Sequence, residues 1–138
     1  MNSVKHQGAS FEVIAKEVIS AQKRVALAKD VVIQIGLYHD KKKHKFDLGN
    51  IQEKILIECK HHAWTASGKM TIWNEAMLYF ILTPKDYTNI LFVKKSLHSK
   101  KKETLAEYYF RTYSHLIPNN VEIWEYDVED KELKIYNI

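Results

Sequence analysis

Cysteine is nearly absent: Cys59 is the single one in 138 residues. That excludes a disulfide framework within the chain and any cysteine-rich zinc site. Proline, with 2, and glycine, with 4, are also scarce. A collagen repeat and a Pro/Gly-rich disordered chain are therefore excluded. Long apolar runs are missing too. The uncharged run Met77–Pro84 is far too short to cross a bilayer. The start, from Met1 to His6, has no apolar core behind a basic residue, so it does not read as a signal peptide. No internal repeat, linker or low-complexity tract divides the sequence. The expectation is one cytoplasmic domain over residues 1–138, with no membrane partner.

What is present is a hydrophobic fraction of 46%, enough for a buried core, and lysine. Only Arg24 and Arg111 are arginines among 21 basic residues. From Val121 to Ile138 acids exceed bases by four, so the net charge of +4 leaves +8 on the preceding residues. Two basic clusters stand out, Lys41-Lys42-Lys43-His44-Lys45 and Lys94-Lys95 followed by Lys100-Lys101-Lys102. Each reads either as a polyanion-binding surface or as solvated loop lysines.

Apolar residues at helical spacing predict a helix from Ser10 to about Lys29, with Ser10 as N-cap and Glu12 and Glu17 near its positive end. Val31–Tyr38 reads as a buried strand, and His39–Lys43 as a lysine-rich turn. Lys45–Asn50 and Lys54–Lys60 read as two more strands, with Gly49-Asn50 near their connection. Thr65–Lys69 is a small-residue loop. Met70–Thr83 is apolar almost all round and predicts a helix buried on several sides. Asn89–Val93 is a strand, Lys101–His115 an amphipathic helix, and Val121–Tyr126 and Glu132–Tyr136 a hairpin through Glu129-Asp130. The order α-β-β-β-α-β-α-β-β implies an α/β (α+β) fold, a mixed sheet flanked by helices.

Ionisable groups on apolar strands cost free energy unless something pairs with them. Asp47, Glu58 and Lys60 are three such groups. Glu58 and Lys60 share one face of a strand, with Ile57 and Cys59 on the other. If the Asp47 strand pairs with the Glu58 strand, the two carboxylates repel and favour a cation between them. Mg²⁺ or Mn²⁺ takes such a site, with the backbone carbonyl of Cys59 and waters completing it. Lys60 could then orient a water or stabilise charge on a phosphate. His61 and His62 follow directly and could touch a phosphate. A zinc site from Cys59, His44, His61 and His62 lacks the paired spacing such sites use. Ser67-Gly68-Lys69 could hold a phosphate at a helix start or be an ordinary cap. Trp64, Trp73, Tyr108, Tyr109 and Tyr113 could stack on bases; Trp73, Tyr109 and Tyr113 fit core packing better.

Asp47, followed eleven residues later by Glu58-Cys59-Lys60, resembles the PD-(D/E)xK nuclease superfamily, the restriction-endonuclease-like fold. The element order over about residues 10–93 is similar to that family's core. Residues 101–138 then add a helix and a hairpin. Gly8-Ala9-Ser10-Phe11-Glu12 resembles the family's first helix, which makes Glu12 a further metal-site candidate, with Glu17 its competitor. Glu75-Ala76-Met77-Leu78-Tyr79 resembles the second-helix motif of the exonuclease branch, with Glu75 where that branch has Gln. Phe46 stands where the family's namesake proline would be. The resemblance implies a Mg²⁺- or Mn²⁺-dependent DNA endonuclease, with DNA favoured over RNA, and a homodimer. Asp47 and Glu58 would hold metal with the Cys59 carbonyl, and Lys60 would be catalytic. Lys41, Lys42, Lys43, Lys45, Lys69, Lys100, Lys101 and Lys102 would contact nucleic acid, with His61 and His62 as further candidates. The alternative is a catalytically inactive nuclease-like module for nucleic-acid binding or assembly; the intact Asp47, Glu58 and Lys60 argue against it.

Overall fold

The computed structural model describes residues 3–36, 41–62, 69–97 and 102–138. Its elements are α1 (Ser3–Lys23), β1 (Ala28–Ile35), β2 (Lys42–Asn50), β3 (Ile55–Lys60), α2 (Lys69–Ile81), β4 (Thr88–Lys94), α3 (Leu105–Tyr113), a short 3₁₀ turn, β5 (Val121–Asp127) and β6 (Glu132–Tyr136). The strands form a single mixed sheet in chain order from β1 to β6. β1, β2 and β3 are antiparallel neighbours, β3, β4 and β5 are parallel, and β6 returns antiparallel on β5. The expected element order and mixed sheet are therefore present.

Each face of the sheet has its own core. Phe11, Ala15 and Ile19 of α1 pack with Leu48, Ile57, Ile90, Phe92 and Trp124. Trp73, Ala76, Met77 and Phe80 of α2 pack on the opposite face with Leu105, Ala106 and Tyr109 of α3. Two successive crossovers that step the same way across a sheet with one hand put both helices on one face. β4 lies between parallel neighbours and is buried from Asn89 to Val93, as its uninterrupted apolar run requires. Trp73 and Tyr109 are core residues; Tyr113 stacks on Tyr109 at the core margin.

Several boundaries differ from expectation. Ser10 does not cap α1, which begins at Ser3, so Glu12 and Glu17 sit in mid-helix. α1 ends at Lys23 rather than near Lys29. Arg24 turns left-handed with φ 55°, and the Val25 N–H donates to the Ser20 carbonyl at 3.3 Å. That is a Schellman stop. β1 is an edge strand with alternate residues exposed, not a fully buried one. Lys42 and Lys43 belong to β2 rather than to a turn, so the strand begins three residues before Lys45. α2 buries only one side, leaving Leu78 62% and Ile81 41% exposed. α3 starts four residues late because Thr104 and Glu107 form a reciprocal capping box.

Gly49 is not in the β2–β3 turn, which spans 51–54. It lies within β2, where an added Cβ would come to 2.7 Å from the Ile55 carbonyl oxygen. That atom is backbone and cannot swing aside. Gly49→Ala is expected to lower unfolding free energy by about 1–3 kcal/mol, read from urea melts.

Candidate functional site

The site forms where β2 leaves β3. Their ladder stops at Leu48↔Ile57, although β2 continues to pair with β1 as far as Lys42. Phe46 packs on the α2 side and Leu48 on the α1 side, although residues two apart on a strand normally share a face. The strand therefore twists at Asp47. Across from it the β1–β2 pairing skips Asp30, whose φ is 54°.

Side chains take over the missing ladder bonds. The Asp47 Oδ2 accepts the Cys59 N–H at 2.8 Å. The Glu58 Oε1 accepts the Asp47 N–H at 3.3 Å. Each acid is thus held by the backbone of the other's strand. Lys60 lies two residues beyond Glu58, with its Nζ 3.9 Å from Glu58 Oε2. Both side chains are largely buried, 19% exposed for Lys60 and 11% for Glu58.

This geometry leaves negative charge undercompensated. Burial, and then the neighbouring Asp47 carboxylate, push Glu58 up to about 7; Lys60 opposes this only in part. Glu12 on α1 is raised as well, by its burial and then by Asp47, so it borders the same pair. It also lines a groove of about 440 Å³ with Lys16, Glu17, Lys29 and Leu48. The Cys59 side chain packs with the α1-side core, and burial raises its thiol well above its ordinary value. That removes it as a nucleophile at neutral pH.

Among the described residues no three His, Cys, Asp or Glu side chains group closely enough to cage a metal. The zinc set around Cys59 is therefore not assembled. Two carboxylates and a main-chain carbonyl are instead the donor set of a hard cation that keeps several waters. Two acids whose charge Lys60 offsets only in part suit such an ion.

No family model matches the chain, and neither a curated protein nor a solved structure is significantly similar to it. The site's chemistry rests on its own residues.

Position in the sheet adds to them. β3, β4 and β5 end on one edge, and antiparallel β2 begins there. Lys41–Lys45 and Lys94-Lys95 thus come to the same edge as Glu58 and Lys60. Ligands of open α/β sheets gather at the carboxyl ends of parallel strands. The lysines are not equivalent. Lys42 places its ammonium 5.5 Å over the Tyr79 ring. Lys95 faces Asp127 at 3.6 Å. Lys41, Lys43, Lys94 and Lys102 are exposed. Lys100 and Lys101, the side chain of Lys69, Ser67-Gly68 and Trp64 lie outside the described residues. His61 and His62 stack on each other at 4.8 Å just past Lys60.

His44, which the sequence offered only as a member of a basic cluster and a zinc candidate, packs among aromatic rings. Its ring stacks on Tyr79 at 3.8 Å and meets the edge of Phe46 at 4.6 Å. Burial, then Lys42, lowers its pKa. The signal was the Lys42-His44-Phe46 alternation, which puts all three toward α2. No described helix is long and apolar enough to cross a membrane.

Proposed function

We propose that the chain is a metal-dependent nuclease that hydrolyses phosphodiester bonds, with DNA as the favoured substrate. The observation that carries this reading is the interlocked pair Asp47 and Glu58 beside Lys60, on the sheet edge that also carries the lysines. Asp47 and Glu58 would hold Mg²⁺ or Mn²⁺ with the Cys59 carbonyl, and Glu12, whose charge couples to Asp47, would assist through water. The bound ion would supply charge neutralisation and an acidified water.

The chain's own groups divide the remaining work. Asp47 and Glu58 are fixed by main-chain N–H groups, so neither carboxylate needs to reorganise on binding. Lys60 holds a positive charge beside Glu58, where it orients the attacking water and faces negative charge growing on the phosphate. Lys41, Lys94 and Lys102 attract the backbone without reading sequence. A homodimer would let one such site cut each strand of a duplex, and the reading favours that state. The resemblance to the PD-(D/E)xK superfamily supports the same assignment of Asp47, Glu58 and Lys60.

Incubation with supercoiled plasmid tests the reading. The native chain is expected to nick or linearise it with Mg²⁺ or Mn²⁺ and not with chelator, and Asp47→Asn is expected to remove that cleavage. Unchanged cleavage by Asp47→Asn would remove this acid from the chemistry. Failure of the native chain on plasmid and on branched and single-stranded DNA would overturn the nuclease reading.

A further inference from the structure

The β1–β2 arm continues past the point where β2 leaves β3, pairing from Val31↔Phe46 to Ile35↔Lys42. Directly opposed residues of an antiparallel pair point to the same face. Val31, Ile33, Ile35, His44 and Phe46 face α2, where the aromatic stack on Tyr79 and Phe80 clamps the arm. The pairs Val32↔Lys45 and Gln34↔Lys43 therefore point the other way. All four are exposed, Val32 by 48%.

This bare face adjoins the site. Lys45 is two residues from Asp47, about 6.6 Å along a strand, and its charge reaches Glu12. The Lys45 ammonium faces Asp30 at 3.9 Å, with both side chains more than 60% exposed. An exposed pair of that kind is weak and gives way to a stronger anion.

We infer that this two-stranded arm is a duplex-DNA-binding ribbon, with Lys43 and Lys45 on phosphates flanking the scissile bond and the Gln34–Val32 side turned to the major groove. The inference rests on the nuclease reading and specifies the substrate as double-stranded. Two strands about 4.8 Å apart fit a groove about 12 Å wide. The exposed face offers two cations, one amide and one apolar side chain, a set suited to phosphates, base edges and a thymine methyl. Lys42, though between Lys41 and Lys43 in sequence, is on the clamped face over Tyr79 and takes no part.

The test is binding, not cleavage. A fluorescein-labelled duplex is titrated with the full chain in chelator at several salt concentrations, and anisotropy gives the slope of log affinity against log salt. Replacing both lysines, Lys43→Gln with Lys45→Gln, is expected to flatten that slope by about 2, one for each phosphate that is no longer neutralised. Lys42→Gln is expected to keep the native slope. A double variant with the native slope would overturn the ribbon and leave the nuclease reading standing. Native protein that binds single strands but no duplex would overturn the ribbon as well. Native protein that binds no polynucleotide would remove both the ribbon and the nuclease reading.

Discussion

Lys60→Ala is expected to lower metal-dependent phosphodiester cleavage by about 10²–10⁴-fold, the range for losing one positioned proton-handling or charge-stabilising group. The ammonium is 3.9 Å from Glu58, with 19% of the side chain exposed. It is thus held in a partly dried site, where a fixed charge acts more strongly than in water. Asp47 and Glu58 keep their backbone donors in this variant, so divalent-cation affinity is expected to stay within a few-fold of native. Losing one ammonium also removes the main opposing charge from Glu58, which shifts the pH dependence of any residual rate upward. Single-turnover cleavage over a pH series, beside a metal titration, separates the roles. Loss of rate with intact metal binding is the expected pattern. Loss of both would mean that Lys60 only holds the carboxylates in place.

Glu58→Gln is expected to change how the metal-free protein's stability depends on pH. Burial and Asp47 raise the Glu58 pKa from 4.5 to about 7 in the folded chain. A folded-state value above the unfolded one means that the native state binds the proton more tightly. The stability this provides is full below pH 4.5, falls as pH rises toward 7, and is gone above it. The span corresponds to about 3 kcal/mol. With chelator present, the native chain should lose that much relative to Glu58→Gln between about pH 4.5 and 8, read from urea melts. The amide oxygen of Gln still accepts the Asp47 N–H, so the variant isolates charge from geometry. A difference that stays flat with pH would mean that water relieves the pair.

Strand β4 was legible because a strand buried on both faces must be apolar at every position, and Ile90–Val93 is. The adjacency of Asp47 and Glu58 was legible too. Eleven residues accommodate two strand ends and the 51–54 turn, and nothing else fits between them. α1 departs from its sequence pattern at both ends. Val25 and Ala26 continue the helical spacing by coincidence, while Arg24 has already turned the chain left-handed. Lys41–Lys43 reads as a turn because lysine says little about backbone. Only the β1 partner strand, with hydrophobic Val31, Ile33 and Ile35 on one side, decides it. The twist at Asp47, which changes the facing of β2, has no signature in the local sequence. It arises from tertiary packing, in which Phe46 is drawn under α2 and Leu48 under α1. His44 was hidden for the same reason, since its partner Tyr79 is far away in the chain.

Asp47 and Glu58 are expected to form one divalent-cation site. Calorimetric titration of Mn²⁺ into the chain at pH 8, beside Asp47→Asn and Glu58→Gln, tests it most directly. Specific saturable binding is expected in the native chain, weakened at least tenfold in each variant. Equal binding by all three proteins, or none by the native chain, would contradict it.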